Sequence, residues 1–179
     1  MPADKRLFDI KKILDQLRLR VGDSEFGYRM QAFFAHVLMR LNSKIKAINN
    51  QGHPDITAEI DSAIYLIQVK TISHNTAESC LLVTSDDLDG IYPNFPKATG
   101  YYAVLDCSAP VTWLICRHEK IRKYVLRPID LEMIRLISDQ AFSQECTDIF
   151  ADMIISNFEK LPLLTYGILR DRALRGDCI

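Results

Sequence analysis

Two short stretches hold the residues best suited to chemistry: Gly52-His53-Pro54-Asp55-Ile56 and Ile67-Gln68-Val69-Lys70. Between them Thr57-Ala58-Glu59-Ile60 and Ile64-Tyr65-Leu66 favour β structure, and the polar pair Asp61-Ser62 suits a two-residue hairpin turn. With Ile60 set opposite Ala63, Asp55 falls opposite Gln68. Strand side chains alternate faces, so Asp55, Thr57 and Glu59 share one face with Gln68 and Lys70. Opposed residues have Cβ atoms only ~4.5–5.5 Å apart. An acid, an amide and an ammonium therefore converge, the raw material for gripping a cation beside a negatively charged reacting group. The same residues also fit the exposed polar face of an ordinary hairpin, with Asp55 and Lys70 as a surface ion pair contributing ~0–1 kcal/mol.

Local sequence supports the geometry. Pro54 donates no ladder hydrogen bond and belongs at the first residue of a strand, and Gly52 permits a sharp entry. Lys44–Asn49 reads as a preceding strand and Asn50-Gln51-Gly52 as a turn, so residues 44–70 form a three-stranded meander. Two helices come first. Leu7, Ile10, Ile13, Leu14 and Leu17 mark one over residues 4–20, closed by Gly22. The stripe Phe26, Met30, Phe33, Phe34, Val37, Leu38 and Leu41 marks the second, capped by Asp23 or Ser24 and laid against the sheet. Glu25 sits in its first turn, where the helix dipole favours an acid by ~0.3–1 kcal/mol. His36 reads as a structural or surface residue.

Beyond Lys70 the polar Ser73-His74-Asn75-Thr76 breaks the pattern. Cys80–Thr84 fits a helix end or a short strand, and Ser85-Asp86-Asp87 a cap on a helical turn. Residues 101–106 and 111–116, joined through Ser108-Ala109-Pro110, read as strands extending the same sheet. From Asp130 the pattern is helical, first through Leu131, Ile134 and Ile137. After a Ser143 cap it continues through Cys146, Ile149, Phe150, Met153, Ile154 and Phe158, ending at Pro162 and Gly167.

Composition narrows the class. A chain of 179 residues with 48% hydrophobic and 25% charged content suits one domain, residues 1–179, with a core over about 23–127 and a helical part over about 128–179. No apolar run approaches the ~18–20 residues that cross a bilayer, and the charged opening Met1–Arg6 suggests neither signal nor anchor, so a cytoplasmic protein without membrane contact is expected. Five cysteines without a CxxC pair suggest neither a zinc site nor a disulfide framework. A net charge of −1 argues against broad adhesion to nucleic acid. Local basic clusters remain: Arg117, Lys120, Arg122, Lys123 and Arg127 against Glu119, then Arg170, Arg172 and Arg175. These fit solvated helix faces or a phosphate-contacting patch.

Glu25 opening a helix, then Pro54-Asp55, then Gln68-Val69-Lys70 on the third strand, resembles the PD-(D/E)xK nuclease superfamily, over roughly residues 23–73. The resemblance implies an α/β fold with a restriction endonuclease-like core, a mixed β-sheet flanked by helices, here with additional N- and C-terminal helices. It further implies a metal-dependent DNA endonuclease that hydrolyses phosphodiester bonds with Mg²⁺, or Mn²⁺. Asp55, Gln68, Glu25 and the Val69 carbonyl would be the metal ligands. Lys70 would orient water and stabilise the charged transition state. His53 fits a phosphate contact or a turn.

Gln68 departs from the pattern, because most members have Asp or Glu there. An amide oxygen still ligates a hard cation, but with less charge the site leans more on Asp55, Val69 and Glu25. The alternative is a nuclease-fold protein that has lost catalysis and serves as a nucleic-acid-binding or assembly module. Cutting both strands needs two active sites, which makes a homodimer the matching arrangement.

Overall fold

The structure, a computed structural model, describes residues 3–52, 54–72, 80–82, 97–108, 110–124 and 128–179. The expectations for His53, for Ser73–Thr76, for Ser85–Asp87 and for Arg127 fall outside the described residues. Helix α1 (Ala3–Val21) follows its apolar spacing, with Ile10, Leu14 and Leu17 buried. It stops where Gly22 takes φ 84°, a left-handed angle that glycine adopts without a Cβ penalty. Helix α2 (Asp23–Arg40) buries Phe26, Met30, Phe33, Phe34, Val37 and Leu38. Its N-cap is Gly22, with no side-chain cap bond. Asp23 and Ser24 therefore lie inside the first turn rather than capping it.

The meander forms as its sequence dictates. Strands β1 (Lys44–Ile48), β2 (Ile56–Ile60) and β3 (Ala63–Ile72) pair antiparallel in order, with Ile60 opposite Ala63 and Ile56 opposite Ile67. Asp61 and Ser62 both take positive φ, 49° and 67°, as a two-residue type I′ turn requires. Strand β4 (Cys80–Leu82) pairs outside this sheet, with β7 (Pro128–Asp130). Strand β5 (Thr99–Asp106) lies parallel to β3, and β6 (Thr112–Arg117) returns antiparallel to β5. The result is a five-stranded mixed sheet in the order β1-β2-β3-β5-β6.

Alternation along the strands splits the apolar residues between two faces. Ile67, Ala103, Leu105, Trp113 and Ile115 face α1, α2 and the C-terminal helices. Leu66, Tyr102, Val104, Leu114 and Cys116 face the smaller layer built by α3 (His118–Ile121), β7 and α4 (Leu131–Ile137). Helices thus flank the sheet on both sides, and no described helix is long and apolar enough to cross a membrane.

The C-terminal third differs from its expected boundaries. Helix α5 (Gln140–Ser156) begins earlier, capped by Asp139, whose carboxylate accepts the Phe142 N–H at 3.1 Å. Ser143 lies inside the helix because it has another task. Its Oγ accepts the Ile115 N–H and Thr147 Oγ1 accepts the Trp113 N–H, each at 2.9 Å. Strand β6 is an edge, and α5 covers it with hydroxyls that satisfy its outward donors. Pro162 sits within a 3₁₀ turn (Phe158–Leu163), and Gly167 does not end the helical pattern but lies within α6 (Tyr166–Arg175). Thr165 caps α6, and Gly176 closes it with φ 81°.

Buried polar groups tie these layers together. Asp106, fully buried, accepts from Arg135 Nη2 at 2.7 Å and from the Ser108 N–H and Oγ at 2.9 and 2.5 Å. His36, also fully buried, donates from Nε2 to the Leu169 carbonyl at 2.9 Å, joining α2 to α6. Burial pushes the His36 pKa down, the Leu169 hydrogen bond opposes this, and Arg172 and Arg40 add to the lowering. His118 is shifted the same way, chiefly by burial. A depressed folded-state pKa means that the unfolded chain takes up the proton first as pH falls below about 6.5. Stability is then lost progressively down to the folded-state value. Scanning calorimetry should show a midpoint falling between pH 7 and 5.5, with a shallower slope in His36→Gln; an unchanged slope would remove His36 from this dependence.

Candidate active site

The site grows from a mismatch in strand length. Strand β2 starts at Ile56 opposite Ile67, while β3 runs on to Ile72, so Gln68–Ile72 extend past the beginning of β2. Pro54, just before β2, has no N–H for the ladder. Asp55 fills the gap with its side chain, its Oδ2 accepting the Val69 N–H at 2.7 Å. The main chain around Asp55 is fixed from two sides. Its carbonyl accepts from Asn49 N at 2.8 Å and from Gln31 Nε2 at 3.2 Å, and Asn49 Nδ2 donates to the Pro54 carbonyl at 2.8 Å.

A cleft of about 490 Å³ opens here, in the ~300–1,000 Å³ range of ordinary ligand sites. Asp55, Gln68, Val69, Lys70 and Thr71 line one side and the first turns of α2 the other, through Asp23, Gly27, Tyr28 and Gln31 among others. The register brings Asp55, Gln68, Val69 and Lys70 to one cleft. Gln68 is almost fully buried, 3% exposed, whereas Lys70 is half-buried.

Glu25 is not in this group. Its Oε1 accepts from Arg29 Nε at 2.7 Å and from the Tyr166 N–H at 3.3 Å, and it does not line the cleft. Its carboxylate is turned instead toward Arg29 on its own helix and the start of α6. Arg29, itself buried, also donates to the Leu161 carbonyl at 3.3 Å, so the Glu25–Arg29 pair fastens α2 to the C-terminal segment. The acid that the first turn of α2 does present to the cleft is Asp23. Glu59 is likewise engaged elsewhere, with Lys46 Nζ at 2.5 Å.

The donors suit a hard cation. Asp55 carboxylate, Gln68 amide and Val69 carbonyl are all oxygens, the class that Mg²⁺ prefers. The N–H and C=O of one strand residue project to the same side, so the Val69 carbonyl shares the side on which its N–H meets Asp55. The set is poor in charge: among the described residues no three of His, Cys, Asp and Glu cluster as a metal site. The exposed bases Arg117, Lys120, Arg122 and Lys123 lie on β6, α3 and the turn after it and do not line the cleft.

Gln31 and Tyr28 are among the lining residues that the sequence did not single out, with Gly27 and Thr71. Gln31 carried a usable signal, a polar amide between Met30 and Phe33 in an otherwise apolar stripe, and it is 5% exposed. Its Nε2 also bonds the Asn49 carbonyl at 2.6 Å, so one amide sets the junction of β1 and β2. Comparison with protein-family models, with curated proteins and with solved structures returns no match for this chain.

Proposed function

We propose that this chain is a metal-dependent DNA endonuclease with a restriction endonuclease-like core, hydrolysing backbone phosphodiesters. The observation carrying the reading is the Asp55 carboxylate locked to the Val69 N–H, at a cleft that Gln68 and Lys70 also line. Asp55, Gln68 and the Val69 carbonyl would hold Mg²⁺ or Mn²⁺, with Asp23 rather than Glu25 as the further acid from α2. Such an ion supplies charge neutralisation at the phosphate and a more acidic water. Asp55 contributes a fixed negative charge, oriented by the Val69 N–H. Gln31 and Asn49 keep the chain around Asp55 in place. Lys70 brings a positive charge to the cleft, where it orients the attacking water and stabilises charge developing on the phosphate. Two such chains together would cut both strands.

Purified protein is incubated with supercoiled plasmid, linear duplex, single-stranded DNA and RNA, with Mg²⁺, Mn²⁺ or chelator. Cleavage of DNA that stops in chelator supports the reading, and absence of cleavage with either ion removes it. The low charge of the donor set favours one second reading, a binding module without catalysis. In that case DNA affinity persists in chelator, weakens steeply with salt, and no product appears.

A further inference from the structure

The C-terminal helix packs against one residue of the cleft wall, Tyr28, through groups that the hydrolytic reading leaves unused. Tyr28 lines the cleft, is 40% exposed, and packs its ring on Tyr166 of α6 with centroids 5.5 Å apart and planes tilted by 43°. Tyr166 is held from behind, its N–H donating to Glu25. Its hydroxyl is buried with no hydrogen-bond partner among the described residues. One turn further along α6, Arg170 Nε donates to the Ile48 carbonyl at 3.2 Å. Ile48 pairs with Ile56 and the next residue, Asn49, bonds Asp55, so Arg170 stands beside the strand junction that carries the acid. The Arg170 side chain is 42% exposed. Burial raises the Tyr166 pKa, the Arg170 charge lowers it, and Asp55 and Tyr28 raise it further.

A braced, half-exposed ring, with a guanidinium one turn along the helix that braces it, offers what an unpaired nucleotide needs: a flat surface for the base and a charge for its phosphate. A paired base within continuous duplex has both faces stacked already and gains nothing from the ring. We infer that Tyr28, braced by Tyr166, and Arg170 form a stacking platform that selects DNA with an unpaired strand at the cleft over continuous duplex. This rests on the proposed nuclease reading in taking DNA as the ligand, and it assigns to α6 the substrate choice rather than the chemistry.

The test reads binding in chelator, where cleavage does not intervene, by fluorescence anisotropy of the full chain. The probes are a labelled oligothymidine, the same strand with abasic sites in place of its bases, and a duplex of equal length. Oligothymidine should bind about ten-fold more tightly than the abasic strand or the duplex. Tyr28→Ala should lose about ten-fold on oligothymidine and almost nothing on the other two, and Tyr28→Phe should restore it. Arg170→Gln should weaken all three. Equal losses on all three probes in Tyr28→Ala, or a Tyr28→Phe that behaves like Tyr28→Ala, would overturn the platform. Metal-dependent cleavage of duplex by a chain without the ring-dependent preference sinks this inference and leaves the nuclease proposal standing. The reverse result, the preference without any cleavage, keeps the platform and removes the nuclease.

Discussion

Asp55→Asn and Lys70→Met should each lower metal-dependent DNA cleavage by at least about 100-fold while leaving the fold intact. Asparagine is the informative replacement because its amide oxygen can still accept the Val69 N–H that Asp55 Oδ2 now accepts at 2.7 Å. The local backbone is kept and only the negative charge is removed. Methionine likewise keeps the apolar stem of Lys70 and deletes the ammonium. Rates measured on one plasmid under one ion concentration, with circular dichroism as the fold control, decide the matter. Cleavage undiminished in both variants would place the activity at another site or in a contaminant.

Trp113→Ala should be the most damaging single truncation in the core. The indole is fully buried on the face shared with α2 and α5, with centroids 4.5 Å from Phe34 and 5.7 Å from Phe150. Removing it leaves a cavity between sheet and helices, at a cost of about 3–5 kcal/mol. Domains of this kind have only about 5–15 kcal/mol to lose, so the variant should be destabilised severely. Trp113→Phe should cost clearly less, since it retains most of the ring volume and deletes a buried indole N–H that has no hydrogen-bond partner among the described residues. Urea titration of both variants gives the comparison. A Trp113→Ala loss below about 1 kcal/mol would mean that this layer is not packed as described.

The elements legible in the sequence were those whose signal is local. The α2 stripe and the Asp61-Ser62 turn depend on neighbours a few residues apart, and that turn alone set the register from Ile60 opposite Ala63 to Ile56 opposite Ile67, which leaves Asp55 just beyond the ladder beside Val69. What the sequence concealed was long-range. Glu25 reads as a ligand or a dipole partner on its own helix, but its actual partners include the Tyr166 N–H far along the chain. Ser143 has the residue type of a cap, and only the unpaired edge of β6 shows why a hydroxyl belongs inside α5. Gly167 reads as a stop because its lack of a side chain disfavours a helix, yet the Thr165 cap and the packing of α6 on α2 override it. The pairing of β4 with β7 joins two three-residue strands, too short for any pattern to register.

Divalent-ion binding, followed by the Mn²⁺ electron paramagnetic resonance signal in the absence of DNA, tests most directly whether the oxygens between β2 and β3 grip a cation. The native chain should bind Mn²⁺ in competition with Mg²⁺. Asp55→Asn should weaken that binding at least ten-fold, and Gln68→Glu, which adds a charge, should tighten it. Mn²⁺ affinity identical in all three proteins, or no binding at millimolar ion, would contradict a metal site at this cleft.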